Sequence, residues 1–220
     1  CIIMKNIQIL IIFLFSIGIS AQKITEINSD LKLSDSLNHE TEVRIYKGVG
    51  ITNYTSLFRM FKDKSDKWTA EFYEHYAKVN GQTELRTEKR TLKSKNDMEF
   101  VFQNLTRSFI LDLPSLSEFY WKLVTRGNVE KVKKQYRGKT IEEYEFTNEV
   151  FHMADGEVFK IQVNAWNRSN EFEFSSVDSY LILYPEIDEL IYMSEILENI
   201  RNEFGIWKKS KIEKIFFTFS

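Results

Sequence analysis

The sequence predicts an α+β domain: an antiparallel meander sheet of about six to eight strands, with a long C-terminal helix (about 186–204) and a second helix (about 97–109) packed on it. Three observations predict it. Short runs rich in aromatic and β-branched residues, EVRIYKGVG, SLFRMFKD, KWTAEFYEHYAKV and TELRTEKRTL, are separated by turn residues such as DKSD and NG. Two other stretches carry apolar residues at helical spacing. The 220 residues are 43% apolar with only eight Gly and two Pro, the composition of a folded domain and not of a linker. An all-β barrel with peripheral helices is the alternative this pattern allows.

Taking the elements in order, residues 22–40 are polar and hold no strong period, so they are expected to form a loosely held leader or an edge element. Asn80-Gly81 is the strongest hairpin signal, because both central residues of a type I′ turn need positive φ. A two-residue loop there sets Tyr76 against Leu85, His75 against Arg86 and Glu71 against Arg90. The charged partners then mark a solvent face that includes His75, and Trp68, Phe72 and Tyr76 mark the buried one.

After Lys95, Met98, Val101, Phe102, Leu105 and Phe109 fall at helical spacing, with Asn96 as the expected N-cap. Ser115 and Glu118 have the spacing of a capping box, which predicts a short helix through about Leu123. EKVKKQYRGK, residues 130–139, carries five basic side chains and is read as a solvated hairpin turning at Arg137-Gly138. NEFEFSS predicts a further strand. Pro185 in the first turn, the acids Glu186, Asp188 and Glu189, and Gly205 at the exit frame the long helix, whose stripe runs Ile187, Leu190, Ile191, Met193, Leu197, Ile200, Phe204.

At the N-terminus, Met4-Lys5 precedes IQILIIFLFSIGIS, an apolar run shorter than the ~20 residues of a membrane-spanning helix and followed by the small pair Ser20-Ala21. This segment resembles the export signals of Gram-negative bacteria, and its S-A-Q ending is similar to those of flavobacteria. The resemblance implies a signal peptide over residues 1–21, with residues 1–3 lying upstream of the natural start at Met4, and a single mature domain over 22–220 that is periplasmic or extracellular. No transmembrane segment is expected after cleavage. The tail 206–220, basic and apolar together, reads as a closing strand, a surface-bound segment or a loosely ordered one.

Cys1 is the only cysteine, so the mature chain carries no disulfide, thiolate metal site or cysteine nucleophile. Cleavage removes one charge, Lys5, from 30 basic residues and leaves 29 against 32 acidic ones, which argues against nucleic acid as a partner. His39, His75 and His152 lie on separate elements without ligand spacing, G-x-S-x-G is absent, and GVGITN lacks the lysine and following helix of a phosphate loop. No catalytic residue, metal site or cofactor is therefore assigned.

The stretch FHMADGEVFKIQVNAW places His152 beside Asp155 and Glu157, but Asp155-Gly156 is also a hairpin turn. Its register would set His152 against Phe159 and Val150 against Ile161, and would leave Phe151, Met153 and Trp166 on the opposite face. With aromatics at 15% of the chain, those three residues are the expected binding patch for a glycan, lipid or protein partner; an edge strand is the other expected contact. The function expected is that of an exported binding or envelope-associated module without enzymatic activity. An extracytoplasmic hydrolase using paired carboxylates is the alternative.

Overall fold

The structure, a computed structural model, describes residues 24–79, 84–151, 153 and 156–208. The expected signal peptide, the Asn80-Gly81 turn, His152, Asp155 and the tail from 209 lie outside the described residues.

Chain order runs from a helix over residues 24–30 (α1) to a meander of β1 (Thr41–Lys47), β2 (Tyr54–Lys62), β3 (Trp68–Tyr76) and β4 (Arg86–Leu92). Helices α2 (Met98–Arg107) and α3 (Leu116–Phe119) follow, with a 3-10 turn at Tyr120–Leu123. A two-stranded ribbon is built from β5 (Val124–Thr125), β6 (Val129–Tyr136), β7 (Lys139–Phe146) and β8 (Glu149–Val150). The chain then returns through β9 (Val158–Ala165), β10 (Arg168–Ser175), α4 (Val177–Leu183) and α5 (Asp188–Phe204). The main sheet is antiparallel and open, in the order β10-β9-β1-β2-β3-β4, so β1 sits between its sequence neighbour β2 and the distant β9. The α+β prediction holds, and the sheet does not close into a barrel.

One sheet face carries the main core. Val43 and Ile45 of β1, Phe58 and Met60 of β2, Phe72 of β3 and Phe159, Ile161 and Val163 of β9 alternate inward. Against them pack Val101, Phe102 and Leu105 of α2 and Leu190, Met193, Leu197 and Ile200 of α5, each worth ~1.5–3 kcal/mol on burial. Asp97, not Asn96, caps α2, its carboxylate accepting from the amides of Glu99 (2.9 Å) and Phe100 (3.3 Å). Asn96 instead donates its side-chain amide to Glu203 at 2.7 Å and so ties α2 to the end of α5. The capping box at Ser115 and Glu118 is present, and Gly205 ends α5 at φ +67°. Pro185 stands just ahead of α5, in the turn from α4.

The second sheet face is the main correction. α1 covers it, burying Ile24, Ile27 and Leu31 on Tyr46, Leu57 and Tyr73. Residues 24–31 are thus no loose leader, and the face expected to meet solvent is covered. His75 and Glu71 are buried there, at 3% and 7% exposure.

The register of β3 with β4 is shifted by one residue: Tyr76 faces Arg86, His75 faces Thr87 and Glu71 faces Thr91. A one-residue slip exchanges the faces of a whole strand. Lys89 is thereby brought to the Glu71 carboxylate at 2.7 Å, while Arg90 lies over the Phe72 ring on the other side. The buried Glu71 carboxylate is thus paired with Lys89 in place of the expected Arg90.

The ribbon turns at Arg137 (φ +50°) and Gly138 (φ +77°), where two positive φ values make the expected two-residue turn. β6 and β7 pack chiefly on each other, and nearly all their side chains are exposed. The hairpin expected at Asp155-Gly156 is not formed: Val150 pairs with Val124, and Ile161 pairs with Ile45 and Phe172. The turn that joins β9 to β10 is Trp166-Asn167, at φ +51° and +60°.

Candidate functional site

Two clusters are built with more care than packing alone requires. The first is the charged layer under α1. Glu42 and Arg44 on β1 are fully buried, and the Glu42 carboxylate accepts from Arg44 Nε at 2.8 Å, Arg59 Nε at 2.7 Å and the Asn38 amide at 2.8 Å. Burial alone would raise its pKa. The two guanidiniums overcome that and hold the carboxyl below the ordinary carboxylate range. Arg59 continues to Glu71 at 3.2 Å, and Tyr73 donates to the same carboxylate at 2.6 Å. Asn28 and Asp30 close the layer from α1, accepting from Tyr46 and meeting His75 Nε2, each at 2.8 Å. The charges there are paired with one another, and of the His75 ring only Nε2 is bonded while the buried Nδ1 has no hydrogen-bond partner among the described residues; the layer reads as a latch for α1.

The second is a cavity of about 570 Å³ at one end of the main sheet. The end of β1 and the loop after it supply Lys47, Gly48 and Ile51; β2 supplies Tyr54; the start of β9 supplies Glu157 and Val158; β10 ends there at Ser175-Ser176. Met153 completes the wall. Ile51 is 54% exposed, an apolar side chain left at the mouth. Ser176 stands at φ +52°, and Gly156 approaches it so closely that a Cβ there would meet Ser176 Oγ at 1.5 Å. Only glycine fits at that seam.

The cavity also carries polar groups. Lys47 pairs with Glu157 and lies 5.8 Å from the centre of the Phe159 ring. Tyr54 donates to Glu74 at 3.0 Å; burial first, and then that carboxylate, push its pKa up to about 12. Tyr54 is therefore a neutral phenol at ordinary pH and no nucleophile.

A third, polar groove of about 460 Å³ lies between residues 35–37 and β9–β10, lined by Gln162, Asn164 and Glu171 among others. It lacks the apolar floor that gives a small-molecule site most of its affinity.

Of the three residues expected to form one patch, Met153 lines the cavity and packs against the core. Trp166 stands at the far end of β9, about 26 Å of strand away, half exposed and edge-on to Phe102 at 5.5 Å. Phe151 is half exposed beside β8. The structure does not bring them to one face. Lys47, Ile51, Tyr54 and Ser176 were missed by sequence reasoning; the one hint was the paired glycines of GVGITN, where Gly48 and Gly50 do turn at positive φ before a strand.

The other chemistry-bearing residues stay apart. His39 stacks on Phe61 at 4.1 Å, and in the first turn of α5 Glu189 is bound to Lys122 at 2.6 Å. Among the described residues no group of three or more His, Cys, Asp or Glu is placed to hold a metal ion, and no helix is long and apolar enough to cross a membrane. No protein-family model, no curated protein and no solved structure matches the chain, so the cavity is read from its own geometry.

Proposed function

We propose that the protein is an exported binding module that takes a small amphipathic ligand into the cavity at the end of its sheet. The observation that carries the reading is the cavity itself: room for a ligand of a dozen or so heavy atoms, an apolar wall of Ile51, Met153 and Val158, and a rim where Lys47 and serine hydroxyls offer polar contacts. Export rests on the apolar N-terminal run behind Lys5 and the small pair Ser20-Ala21 that follows it.

The hydrolase reading finds no support in the carboxylates. Glu42, Asp63, Glu71, Glu99, Glu171 and Glu203 are all held below their ordinary range, whereas a general acid has to be held above it.

Differential scanning fluorimetry with dodecanoate as the probe tests the binding reading. At a hundredfold excess over Kd, dodecanoate is expected to raise the melting midpoint of the chain by about 5 °C or more. Ile51→Glu, at an exposed position, should leave the unliganded midpoint in place and remove the shift. An equal shift in that variant, or none in either protein, sinks the reading. A shift with maltotriose instead would move attention to the polar groove.

A further inference from the structure

The ribbon of β6 and β7 stands apart from the cavity and presents a free strand edge. Among the described residues β7 has one neighbour, β6, so its outer row of backbone donors and acceptors is unpaired. A two-stranded ribbon open on both faces is marginal in water, and adding strands is what stabilises it. Free edges of this kind either carry protection against pairing or are used for it.

The two edges differ in their charge patterns. Along one face of β7 the order is Lys139, Ile141, Glu143, Glu145, and Arg137 stands in the turn ahead of it: two cations, an apolar centre, two anions. That order is complementary to itself read backwards. If two β7 strands run antiparallel about a two-fold axis through Ile141, Ile141 meets Ile141 of the second copy. Lys139 then meets the second copy's Glu143 on both sides of the axis, and the turn that carries Arg137 comes to the end of the second strand that holds Glu145.

β6 cannot do the same. With the axis normal to the ribbon, centring β6 on Lys131, Val132, Lys133 or Lys134 sets lysine against lysine in every case. The exposed apolar side chains also agree, since Ile141, 40% exposed, would be covered at the axis.

We infer that the outer edge of β7 is a self-association surface, through which two copies join their ribbons into one four-stranded antiparallel sheet, β6-β7-β7-β6. The partner is a second copy of this chain. Lys134, already on Glu143 at 2.5 Å and on Glu145, backs the acidic half from inside the ribbon, and each carboxylate then lies between two cations.

Sedimentation velocity over a range of concentrations tests this. The chain is expected to show a reversible monomer–dimer equilibrium that weakens as salt rises from about 0.05 to 0.5 M. Two charge-reversed variants make the test specific: Glu143→Lys with Glu145→Lys, and Arg137→Glu with Lys139→Glu. Each alone should dissociate at least about tenfold more readily than the parent, while an equimolar mixture of the two should recover a heterodimer. All four positions are exposed or half-exposed, and circular dichroism checks that the fold is kept. A chain that stays monomeric at every concentration, or variants that dimerise as well as the parent, overturns the proposal. Flotation with anionic phosphatidylserine vesicles without self-association would assign the arm to a membrane surface and overturn it as well.

Discussion

Glu42 holds two buried guanidiniums and the amides of Asn38 and His39 with one carboxylate, so its removal leaves Arg44 without its counter-charge in a buried layer. Breaking a buried pair by deleting one partner is far costlier than never having built it. Glu42→Ala is expected to lower the unfolding free energy by ~3–5 kcal/mol in urea titrations. The same residue sets the acid limit of the fold. Its folded pKa lies below the ordinary 4.5, so the stability it contributes is complete above about pH 4.5 and is lost as pH falls through the folded value. Midpoints of Glu42→Gln should therefore fall less steeply below pH 4.5 than those of the parent, and a parallel fall would assign acid lability to other carboxylates.

At the scale of elements, α1 is held on the sheet by Ile24, Ile27 and the Leu31 that follows it, and beside them by the hydrogen bonds of Asn28 and Asp30. Ile27→Ala is expected to cost ~2–4 kcal/mol and to open residues 24–40 to limited proteolysis before the rest of the chain unfolds. This element shows where the sequence was and was not legible. The meander, α2, α5, the capping box at Ser115 and the turn at Arg137-Gly138 are all local patterns, carried by spacing or by two residues with a required φ. Ile24, Ile27 and Leu31 also lie at helical spacing, but only three positions in a polar stretch carry the signal. Asp155-Gly156 misled because a turn signal names no partner strand: β9 takes its partners from residues 41–47 and 168–175, beyond any local window. The turn actually used, Trp166-Asn167, contains no glycine to announce it. α4 has no reading in the sequence because VDSYLIL is short and its β-branched and aromatic residues do not favour a helix locally; packing against α5 makes it one. The cavity was illegible for the same reason as β9, since its walls come from three separated segments.

For the whole molecule, the sheet with its helices and the ribbon are energetically almost separate, because β6 and β7 rest chiefly on each other. Asn128 and Thr147 meet at the base of the arm, the Thr147 amide donating to the Asn128 carbonyl at 3.0 Å. Excising residues 129–146 and joining Asn128 to Thr147 through an Asn-Gly turn should therefore leave the melting midpoint within about 3 °C of the parent and abolish dimerisation. A large loss of stability would show that the arm supports the core.

The place of β1 in the sheet has a further consequence, in time instead of space. Its first partner, β2, is synthesised next to it, but its second, β9, arrives only after α2, α3 and the ribbon, so pairing Ile45 with Ile161 closes more than half of the chain into one loop. Long-range pairings of this kind are slow because the entropy of closure is lost before the contacts repay it. Until β9 docks, the centre of the finished sheet is an edge, and the two halves of the chain hold the fold open between them.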